Sequence, residues 1–426
     1  MGDLKNRKIE DKKKVFFVVG GGILQIPFID EIYSNGYVPA VFDMNPSAPA
    51  FKKYDNNQII KIIVSTKDEE GCLKEAKLVS QNYIPIAVAT VGTDFSRTVA
   101  KIAQFFDLPG NPYEVSIVTT NKGKMRKRLK EKSVNQPDFE VVSSFNELRD
   151  AMKKLSKDFY VIKPVDNMGA RGACLISKDF TESQLKDVFN EALEFSTEKN
   201  VIIEEYIRSY ELSIDAIVGN GEITITGVAD RFILNPPYFI ELGHLMPSIL
   251  PKDLVDIGCQ VFIDGIKALG IRHGAAKGDI RVRYEYEKNR KIAKGYVGEI
   301  ASRLSGGFMS AYTFPYSSGI NLMNIMMKIA IGEKNIKIEP KWAYYSCELG
   351  LVSNEEGVLK SIDGYYEAMM VPYIKSVFLM KNKEDRIIRT KNNVSKLANV
   401  ISQAPTASKA IIASKAALAK LKVNLY

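Results

Sequence analysis

The amino-acid sequence predicts an α/β protein built from more than one domain. A chain of 426 residues is too long for one hydrophobic core, so two to four domains are expected. Strands alternate with helical patterns along the first part of the chain, which predicts a doubly wound parallel sheet. After Trp342 the pattern changes to short strands and turns. This change predicts a small, β-rich C-terminal domain at residues 342–426.

The first domain is predicted at residues 15–115, after a charged N-terminal extension at residues 1–14. It opens with the apolar run VFFVV, which leads into Gly20–Gly22 and then a helical pattern at Ile23–Ser34. The remaining strands are predicted at VPAVFD, ending at Asp43, and at Gln58–Val64 and Ile84–Val91, followed by a helix at Phe95–Phe106.

Glycines after the first strand and an acid after the second are typical of a dinucleotide-binding site. In this sequence Gln25 stands at the third position of the glycine fingerprint, where glycine or alanine is usual. The substitution argues against a nicotinamide-dependent oxidoreductase, which stays open as an alternative function.

Composition and charge narrow the classes of function. The chain has 59 basic and 50 acidic residues, but its lysines are scattered, so nucleic-acid binding is not expected. With only His244 and His273 as histidines and four widely separated cysteines, neither a zinc site nor a disulfide framework is expected. The apolar run Val15–Ile29 is too short and too interrupted by glycine to span a membrane. These features predict a cytoplasmic protein without a membrane partner.

A second domain, predicted at residues 116–341, begins with the basic helical stretch TTNKGKMRKRL, which contains Lys122. Further along, the segment FYVIKPVDNMGARGACLIS has a strand that ends at Lys163. A loop with Gly169, Arg171 and Gly172 follows, and then a second strand. Glycines let backbone N–H groups approach an anion, and the two cations add positive charge. The segment predicts a flexible hairpin that closes over phosphates; an ordinary exposed hairpin is the alternative.

Two further pairs of polar residues are candidate contacts for a ligand. Glu204 and Glu205 lie at the end of the strand in NVIIEEYIRSYELS. They are either plain surface residues or contacts for an exocyclic amine or ribose hydroxyls. Glu241 and His244 lie in a proline-rich segment and are candidate substrate contacts.

The sequence from Gly274 to Phe308 predicts a hairpin that holds a cation. Two strands, DIRVRYEY and KIAKGYVGEI, flank a polar turn at residues 287–291. A hairpin centred on Asn289 places Asp279 directly opposite Glu299, at about 5.5 Å between Cβ atoms. Two facing carboxylates repel each other, so the pair suggests a cation between them. The register is a hypothesis, and two unrelated acids on an exposed hairpin are the alternative.

In this order, the segments resemble the ATP-grasp superfamily, and specifically its carboxylate–amine ligases, such as phosphoribosylglycinamide synthetase and biotin carboxylase-like enzymes. The resemblance extends over nearly the whole chain. It implies a Rossmann-like domain at 15–115, an ATP-grasp domain at 116–341 with a mobile glycine lid at about 158–207, and a small β-rich domain at 342–426. It also implies ATP and Mg²⁺ as cofactors, with Mn²⁺ as the alternative metal.

The resemblance also assigns roles to residues. Lys122 and Lys163 would contact the nucleotide phosphates under a lid containing Gly169 and Gly172. The adenine and ribose would be bound by Glu204, Glu205, Ile207 and Glu211. Asp279 and Glu299 would hold the metal, and Ser302 stands where the family usually has an asparagine ligand. Arg303 would lie near the transferred phosphate, and Arg171 would help exclude water.

These assignments predict an ATP-dependent ligase that joins a carboxylate to an amine through an acyl phosphate, with small-molecule substrates and a homodimer as a compatible assembly. Two alternatives stay open beside it, in addition to the oxidoreductase. One is a biotin-type carboxylase that uses bicarbonate. The other is a noncatalytic, ATP-binding regulatory protein, which the serine at position 302 allows.

Overall fold

The computed structural model of the protein describes residues 12–219, 222–234, 237–334 and 336–426. Most of the predicted N-terminal extension, residues 1–11, lies outside the described residues. The described chain forms four β-sheets with helices packed against them. Within it, no helix combines the length and the apolar character that crossing a membrane requires.

The N-terminal residues form a parallel sheet of four strands, β1 (Lys14–Val19), β2 (Val38–Asp43), β3 (Ile60–Ile63) and β4 (Ile84–Ala89). Their order across the sheet is β3-β2-β1-β4. The accompanying helices are Ile26–Ser34, Pro49–Lys53, Glu69–Ser80 and Ser96–Phe105. In β1, Phe16 and Val18 pack in one core while Phe17 and Val19 pack in another, so the sheet is buried on both faces. The predicted doubly wound sheet is confirmed.

Gln25 closes the glycine-rich turn that follows β1. Its side chain is fully buried, and Nε2 donates hydrogen bonds to the carbonyl oxygen of Val91 (2.7 Å) and to Oγ1 of Thr93 (2.9 Å). A Cβ on Gly20 would lie 3.1 Å from the same Nε2. The residue that breaks the dinucleotide fingerprint therefore fills the turn and ties it to the segment after β4.

A second sheet carries the segment predicted as the lid. Its antiparallel strands are β5 (Phe139–Val142), β6 (Phe159–Pro164), β7 (Cys174–Ser177) and β8 (Val201–Glu205), in the order β5-β8-β6-β7. Helices Phe145–Leu155 and Glu182–Glu194 pack on it, and helices Tyr113–Thr120 and Lys122–Glu131 precede it. The glycine loop lies between β6 and β7.

The third sheet holds the hairpin and is built largely from five consecutive strands. These are β9 (Tyr210–Gly219), β10 (Glu222–Leu234), β11 (Ile240–Met246), β12 (Gly274–Glu287) and β13 (Arg290–Ala301). The amphipathic helix Lys252–Leu269 covers the hairpin β12–β13. Phe262 and Ile266 on this helix share a core with Ile280, Val297 and Ile300. This packing holds the two hairpin strands against a rigid support.

The C-terminal residues extend the same sheet and add a smaller one. They form β14 (Tyr345–Leu351), β15 (Gly357–Asp363), β16 (Ile374–Leu379), β17 (Arg386–Ile387), β18 (Ala398–Ala404) and β19 (Lys422–Leu425). The large sheet has the order β13-β12-β9-β10-β11-β14-β18-β16, and the small one β17-β15-β19. The helices after residue 310 are Phe314–Ser318, Leu322–Ala330, Tyr365–Met369 and Ala407–Leu418.

The predicted fold class is confirmed: a parallel α/β sheet precedes antiparallel sheets, and a small β-rich region ends the chain. The large sheet runs without a break from β13 to β16, so strands from both sides of residue 341 share one hydrogen-bonded ladder. The domain limits at 115 and 341 stay predictions.

Candidate active site

One cavity of about 500 Å³ gathers residues from all parts of the fold. Of the fifteen site residues that the sequence analysis names, eleven line it: Lys122, Lys163, Gly169, Arg171, Glu204, Glu205, Glu211, Glu241, Asp279, Glu299 and Arg303. The other four, Gly172, Ile207, His244 and Ser302, are not among its lining residues. Segments far apart in sequence thus converge on one space.

The hairpin pairs Asp279 with Glu299, as predicted, but its turn and the register of most of its pairs differ from the prediction. Its turn consists of two residues, Lys288 and Asn289, both with positive φ (46° and 63°), as in the tightest hairpin turns. The predicted five-residue turn is wrong, and most pairs differ by one residue from the predicted register. A bulge at Gly298 adds one residue to β13 and restores the pairing at the carboxylates. A Cβ on Gly298 would lie 2.6 Å from the carbonyl oxygen of Asp279.

Both carboxylates are held in their ionised form by nearby cations. Burial alone would raise the pKa of Asp279, but Arg231 and Lys277 lower it to about 2. Their nitrogens lie 2.9 and 2.5 Å from Oδ1. For Glu299, burial is likewise outweighed, mainly by Lys122, whose Nζ lies 3.4 Å from Oε1, so its pKa is lowered. Two opposed, ionised oxygen ligands are a donor set that fits Mg²⁺.

A chain of buried ion pairs runs beside the carboxylates. The two carboxylate oxygens of Glu204 each contact a cation: Oε2 lies 2.7 Å from Nζ of Lys163, and Oε1 lies 2.6 Å from Nε of Arg126. Burial would raise the pKa of Glu204, but these two cations lower it to about 2. The guanidinium of Arg126 also donates to the carbonyl oxygens of Val297 and Gly298, both at 2.7 Å. Arg126 therefore connects β8 to the bulge that sets Asp279 opposite Glu299.

Arg231 connects three of the predicted site carboxylates. Its guanidinium nitrogens lie 3.1 Å from Glu211, 2.9 Å from Glu241 and 2.9 Å from Asp279. Burial would lower the pKa of Arg231, but the three carboxylates raise it above its ordinary value. Glu211 has a second cation, Nη2 of Arg281, at 2.8 Å. The residues assigned to ribose, substrate and metal therefore share one charge network.

The glycine loop is fastened to neighbouring segments at several points. Gly169 and Gly172 both have positive φ (71° and 67°), which glycine adopts without strain. The carbonyl oxygen of Gly169 accepts a hydrogen bond from the backbone N–H of Asn393 (3.0 Å). The side-chain oxygen of Asn393 in turn accepts from the backbone N–H of Glu241 (2.8 Å). Asn393 thus links the lid to the strand that carries a predicted substrate residue.

We expect Asn393→Ala to loosen the lid. The substitution keeps the backbone hydrogen bond to Gly169 but removes the one between Glu241 and the side chain of Asn393, worth about 1 kcal/mol. The segment that holds Gly169 is then less firmly attached to β11, and an effect of the full 1 kcal/mol would make the open lid about fivefold more populated. Proteolysis of a folded protein follows the open population, so trypsin should cleave after Arg171 about fivefold faster, as measured by mass spectrometry. Asn382→Ala, at an exposed position of the same region, should leave this rate unchanged. An unchanged rate in Asn393→Ala would contradict the link.

His244 lies behind the cavity wall. Its side chain is buried, with Nε2 2.7 Å from Oγ1 of Thr313 and Nδ1 3.5 Å from Oε2 of Glu348. Burial lowers the pKa of His244 to about 4, so the ring is neutral at neutral pH. Glu241, three residues earlier, lines the cavity. His244 therefore does not line the cavity, whereas Glu241 does, and the substrate contacts predicted for both stay predictions.

Two other predicted residues point to neighbouring elements. The hydroxyl of Ser302 lies 3.0 Å from that of Thr119 and outside the cavity, so it does not join Asp279 and Glu299. The carbonyl oxygen of Ile207 accepts a hydrogen bond from Nη1 of Arg281 (2.9 Å). The structure therefore offers two, not three, of the predicted metal ligands at the cavity.

Several solved structures resemble this chain over nearly its full length. Superposition on the L-amino acid ligase from Bacillus licheniformis gives a TM-score of 0.80 at 20% identity, covering 98% of this chain and 100% of that chain. Phosphoribosylglycinamide synthetase from Anaerococcus prevotii gives a TM-score of 0.70 at 20% identity, with 97% and 100% covered. At this identity the likeness shows the fold.

Sequence families agree with the structural comparison. Residues 120–232 match the family described as phosphoribosylglycinamide synthetase, ATP-grasp (A) domain. The chain has the ATP-grasp fold, and residues 120–232 match an ATP-grasp domain family. Residues 350–426 match a second family, L-amino acid ligase C-terminal domain 2. The carbamoyl phosphate synthase large chain of Clostridium acetobutylicum is 24% identical over 267 residues, which are 60% of this chain but only 23% of that protein.

The cavity also contains cations that sequence reasoning missed. Arg126 and Arg231 are the most connected of them, and Lys277 and Lys396 also line the cavity. Arg126 follows Lys122 by four residues in one helix, a spacing that puts both on one helix face and could have revealed it. Arg231 carried no comparable signal, because its three partners come from three other strands.

Proposed function

We propose that this ATP-grasp protein is an ATP-dependent ligase that joins a carboxylate to an amine through an acyl phosphate and releases ADP and phosphate. The observation that carries the proposal is the pair Asp279 and Glu299, opposed and ionised, in a cavity that also contains Lys122 and Lys163 beneath a glycine lid. This arrangement suits a nucleotide triphosphate with its metal ion.

The chain's own residues bind and orient the nucleotide. Lys122 and Lys163 offset the negative charge of the phosphates, and Glu211 is placed to accept hydrogen bonds from ribose hydroxyls. Burial lowers the pKa of Lys163, and Glu204 opposes this effect at 2.7 Å. When bound between Asp279 and Glu299, Mg²⁺ neutralises phosphate charge and favours transfer of the phosphoryl group.

Arg303 is suited to hold the reacting carboxylate or the transferred phosphate. It lines the cavity, and its buried Nε has no hydrogen-bond partner among the described residues. An unpaired buried donor is costly, so an anionic ligand at this position satisfies it. A guanidinium there offsets charge that grows during transfer. Arg171 and the lid exclude water, which would hydrolyse an acyl phosphate.

For the substrates, we propose an amino acid as the carboxylate. The support is the match of residues 350–426 to the C-terminal domain of L-amino acid ligases, because segment Asn393–Asn399 from this region contributes to the cavity wall. Glu241 offers a carboxylate for the ammonium group of such a substrate.

The test is a phosphate-release screen with ATP and Mg²⁺ over amino acids and other carboxylates, each alone and paired with amines. The proposal predicts phosphate release that depends on a carboxylate, and a new amide product detected by mass spectrometry. Release that depends on bicarbonate would favour a carboxylase instead. ATP binding without phosphate release for any pair would favour a regulatory ATP-binding protein and contradict the ligase.

A further inference from the structure

A buried carboxylate with no role in the proposed mechanism lies behind the cavity wall. Asp215, on β9, is almost fully buried and is not among the residues that line the cavity. Ser213, two residues earlier on the same strand, lines it. Residues two apart on a strand lie on the same face, so Asp215 is on the cavity side of the sheet, beneath the lining. A buried carboxylate is costly unless its oxygens are paired, which makes its partners informative.

Both oxygens of Asp215 accept hydrogen bonds from one residue. Oδ2 accepts from the hydroxyl of Ser305 (2.6 Å), and Oδ1 accepts from the backbone N–H of Ser305 (3.2 Å). Ser305 belongs to residues 302–308, which follow β13 and which we name the Arg303 loop. The carbonyl oxygen of Ser305 accepts from the hydroxyl of Ser310 (2.7 Å). The N–H, the hydroxyl and the carbonyl group of Ser305 are therefore all held.

The other side of the Arg303 loop lies against the segment after β4. The backbone N–H of Gly92 donates to the carbonyl oxygen of Leu304 (3.3 Å). A Cβ on Gly306 would lie 2.6 Å from the carbonyl oxygen of Gly92, so a larger residue would push the loop away. The loop is thus enclosed between Gly92 on one side and Asp215 on the other. Because these contacts are made by consecutive loop residues, the carboxylate helps to determine where the loop backbone lies.

The loop carries Arg303, the residue proposed to hold the reacting carboxylate or the transferred phosphate. Nη1 of Arg303 donates to the carbonyl oxygen of Leu304 (3.1 Å), which precedes Ser305. The buried Nε of Arg303 has no hydrogen-bond partner in the described chain. The guanidinium is therefore oriented by the same stretch of backbone that Asp215 holds, and a shift of that backbone would move it. A misplacement of about 1 Å in an active site can lower the rate by up to about 100-fold.

The charged groups that face Asp215 are cations of the cavity wall. Lys277 lies opposite Asp215 in the pairing of β12 with β9, and Arg303 approaches from the loop. Strand β10 contributes Thr226, whose hydroxyl donates to the carbonyl oxygen of Asp215 (3.1 Å). Burial raises the pKa of Asp215 to about 6, although its hydrogen bonds from Ser305 and the two cations oppose the shift. Perturbed ionisable groups of this kind are concentrated at functional sites.

We propose that Asp215 is a positioning residue: through Ser305, its carboxylate holds the Arg303 loop where Arg303 meets the reacting group. The inference rests on the proposed ligase function and adds to it a residue that touches no substrate. An ionised carboxylate suits this role, because its oxygens accept stronger hydrogen bonds than neutral groups and carry no proton that would compete with the two donors of Ser305.

The first test is Asp215→Asn, which preserves the shape of the side chain and removes its charge. The turnover number for phosphate release, with the best substrate pair from the screen, should fall about 10–100-fold. The affinity for a nonhydrolysable ATP analogue with Mg²⁺, measured by calorimetry, should stay that of the wild type, because Asp215 acts on the Arg303 loop and not on the nucleotide.

Asp230→Asn is the matched control. Asp230, on β10, likewise accepts hydrogen bonds from a serine hydroxyl, that of Ser248, and from a backbone N–H, that of Ile249. Neither Asp230 nor Ser248 lines the cavity. The variant should therefore retain wild-type turnover.

The pH profile of turnover separates positioning from a merely structural role. Wild-type turnover should fall as the pH drops through about 6, because Asp215 then takes up a proton and loses the charge that holds Ser305. Asp215→Asn should lack this acidic limb. In Ser305→Ala the limb should move to higher pH, because the hydrogen bond from the Ser305 hydroxyl is one of the interactions that lower the pKa of Asp215.

Stability should respond differently from activity. Because burial raises the pKa of Asp215 in the folded state, from 3.8 to about 6, its ionised form destabilises the fold at neutral pH. This cost is lost as the pH falls from about 6 towards 3.8. At neutral pH, Asp215→Asn should therefore unfold in urea at a midpoint no lower than that of the wild type. A residue with a structural role alone would give a lower midpoint.

Hydrogen exchange measured by mass spectrometry reports on the hold without requiring turnover. Amide exchange in the peptide that covers the Arg303 loop should be about tenfold faster in Asp215→Asn than in the wild type, as expected when a hydrogen bond to a charged group is weakened. Exchange in the same peptide should be unchanged in Asp230→Asn.

The outcomes distinguish the positioning role from the ligase function. Wild-type turnover in Asp215→Asn, an acidic limb that persists in it, a lower urea midpoint or unchanged exchange of the loop would each overturn the proposal. Weaker binding of the ATP analogue would also overturn it and assign Asp215 to the nucleotide site. If the wild type releases no phosphate with any substrate pair, the ligase function is refuted, and faster exchange in Asp215→Asn would retain the hold on the loop.

Discussion

Glu299→Gln should lower the turnover number for ATP-dependent phosphate release by about 10²–10³-fold, the range seen when one preorganised charge-stabilising group is lost. Glutamine preserves the size of the side chain and removes only its charge. The pKa of Glu299 is lowered, because Lys122 and Lys163 outweigh the effect of burial, so the wild-type residue is ionised at neutral pH. The variant therefore tests the charge facing Asp279 and not the shape of the cavity.

The measurement is phosphate release as a function of Mg²⁺ concentration, with the best substrate pair from the screen. We expect a lower maximal rate in Glu299→Gln and a higher Mg²⁺ concentration for half-maximal rate. Glu287→Gln is the matched control, because Glu287 is exposed near the tip of the same hairpin, where it contacts Lys294. Turnover close to that of the wild type in Glu299→Gln, in a folded protein, would refute the metal assignment.

Elements whose formation depends on their own residues, and not on distant partners, were predictable from the sequence. Helix Lys252–Leu269 has an apolar face with helical spacing, and it ends at Gly270, whose φ is positive (80°). Strand β5 (Phe139–Val142) was not predicted, because four residues between two helices give little strand signal. It forms by pairing with β8, some sixty residues away. Strand propensity depends on such partners, which no local window contains.

In the hairpin, the predicted pairing of Asp279 with Glu299 is correct, but the turn geometry from which it was predicted is wrong. The pairing of Asp279 with Glu299 was derived from a symmetrical turn around Asn289. In the structure the turn is shorter, and the bulge at Gly298 compensates for the shift. A bulge depends on the close approach of two backbones, which the sequence indicates only by a glycine. Register at a site thus follows from turn and bulge together.

The sequence was sufficient to assign site residues to motifs, but not to predict the direction in which their side chains point. Ser302 and His244 follow Glu299 and Glu241 by three residues each, yet neither lines the cavity. In an extended segment, residues three apart point to opposite faces, so His244 turns towards Thr313 while Glu241 stays at the cavity. The spacing of a motif therefore indicates which segment lies near a site, whereas the local backbone conformation determines which of its side chains point into the site.

Arg126 is expected to be the residue of this site on which the fold depends most. Its guanidinium is almost fully buried and donates to Glu204 and to the carbonyl oxygens of Val297 and Gly298. Arg126→Met keeps the length of the side chain but leaves Glu204 with Lys163 alone and two carbonyls without a donor. Breaking a buried ion pair in this way should lower the free energy of unfolding by about 3–5 kcal/mol.

Urea unfolding of the wild type and Arg126→Met, followed by circular dichroism, measures this difference. Arg128→Met is the matched control, because Arg128 lies on the same helix with a half-exposed side chain 3.9 Å from Glu131. A pair of this kind contributes at most about 1 kcal/mol. A similar small loss in Arg126→Met would show that the buried network does not hold β8 to the hairpin.

The pH dependence of the same difference tests the cause. In the folded wild type, burial alone would raise the pKa of Glu204, but Arg126 and Lys163 lower it from 4.5 to about 2. A lowered pKa means that ionised Glu204 stabilises the fold fully above pH 4.5, and that this contribution is lost as the pH falls from 4.5 towards 2. The gap in stability between wild type and Arg126→Met should therefore narrow over this interval. A gap that stays constant would mean that Arg126 stabilises the fold through the carbonyls of Val297 and Gly298, and not through Glu204.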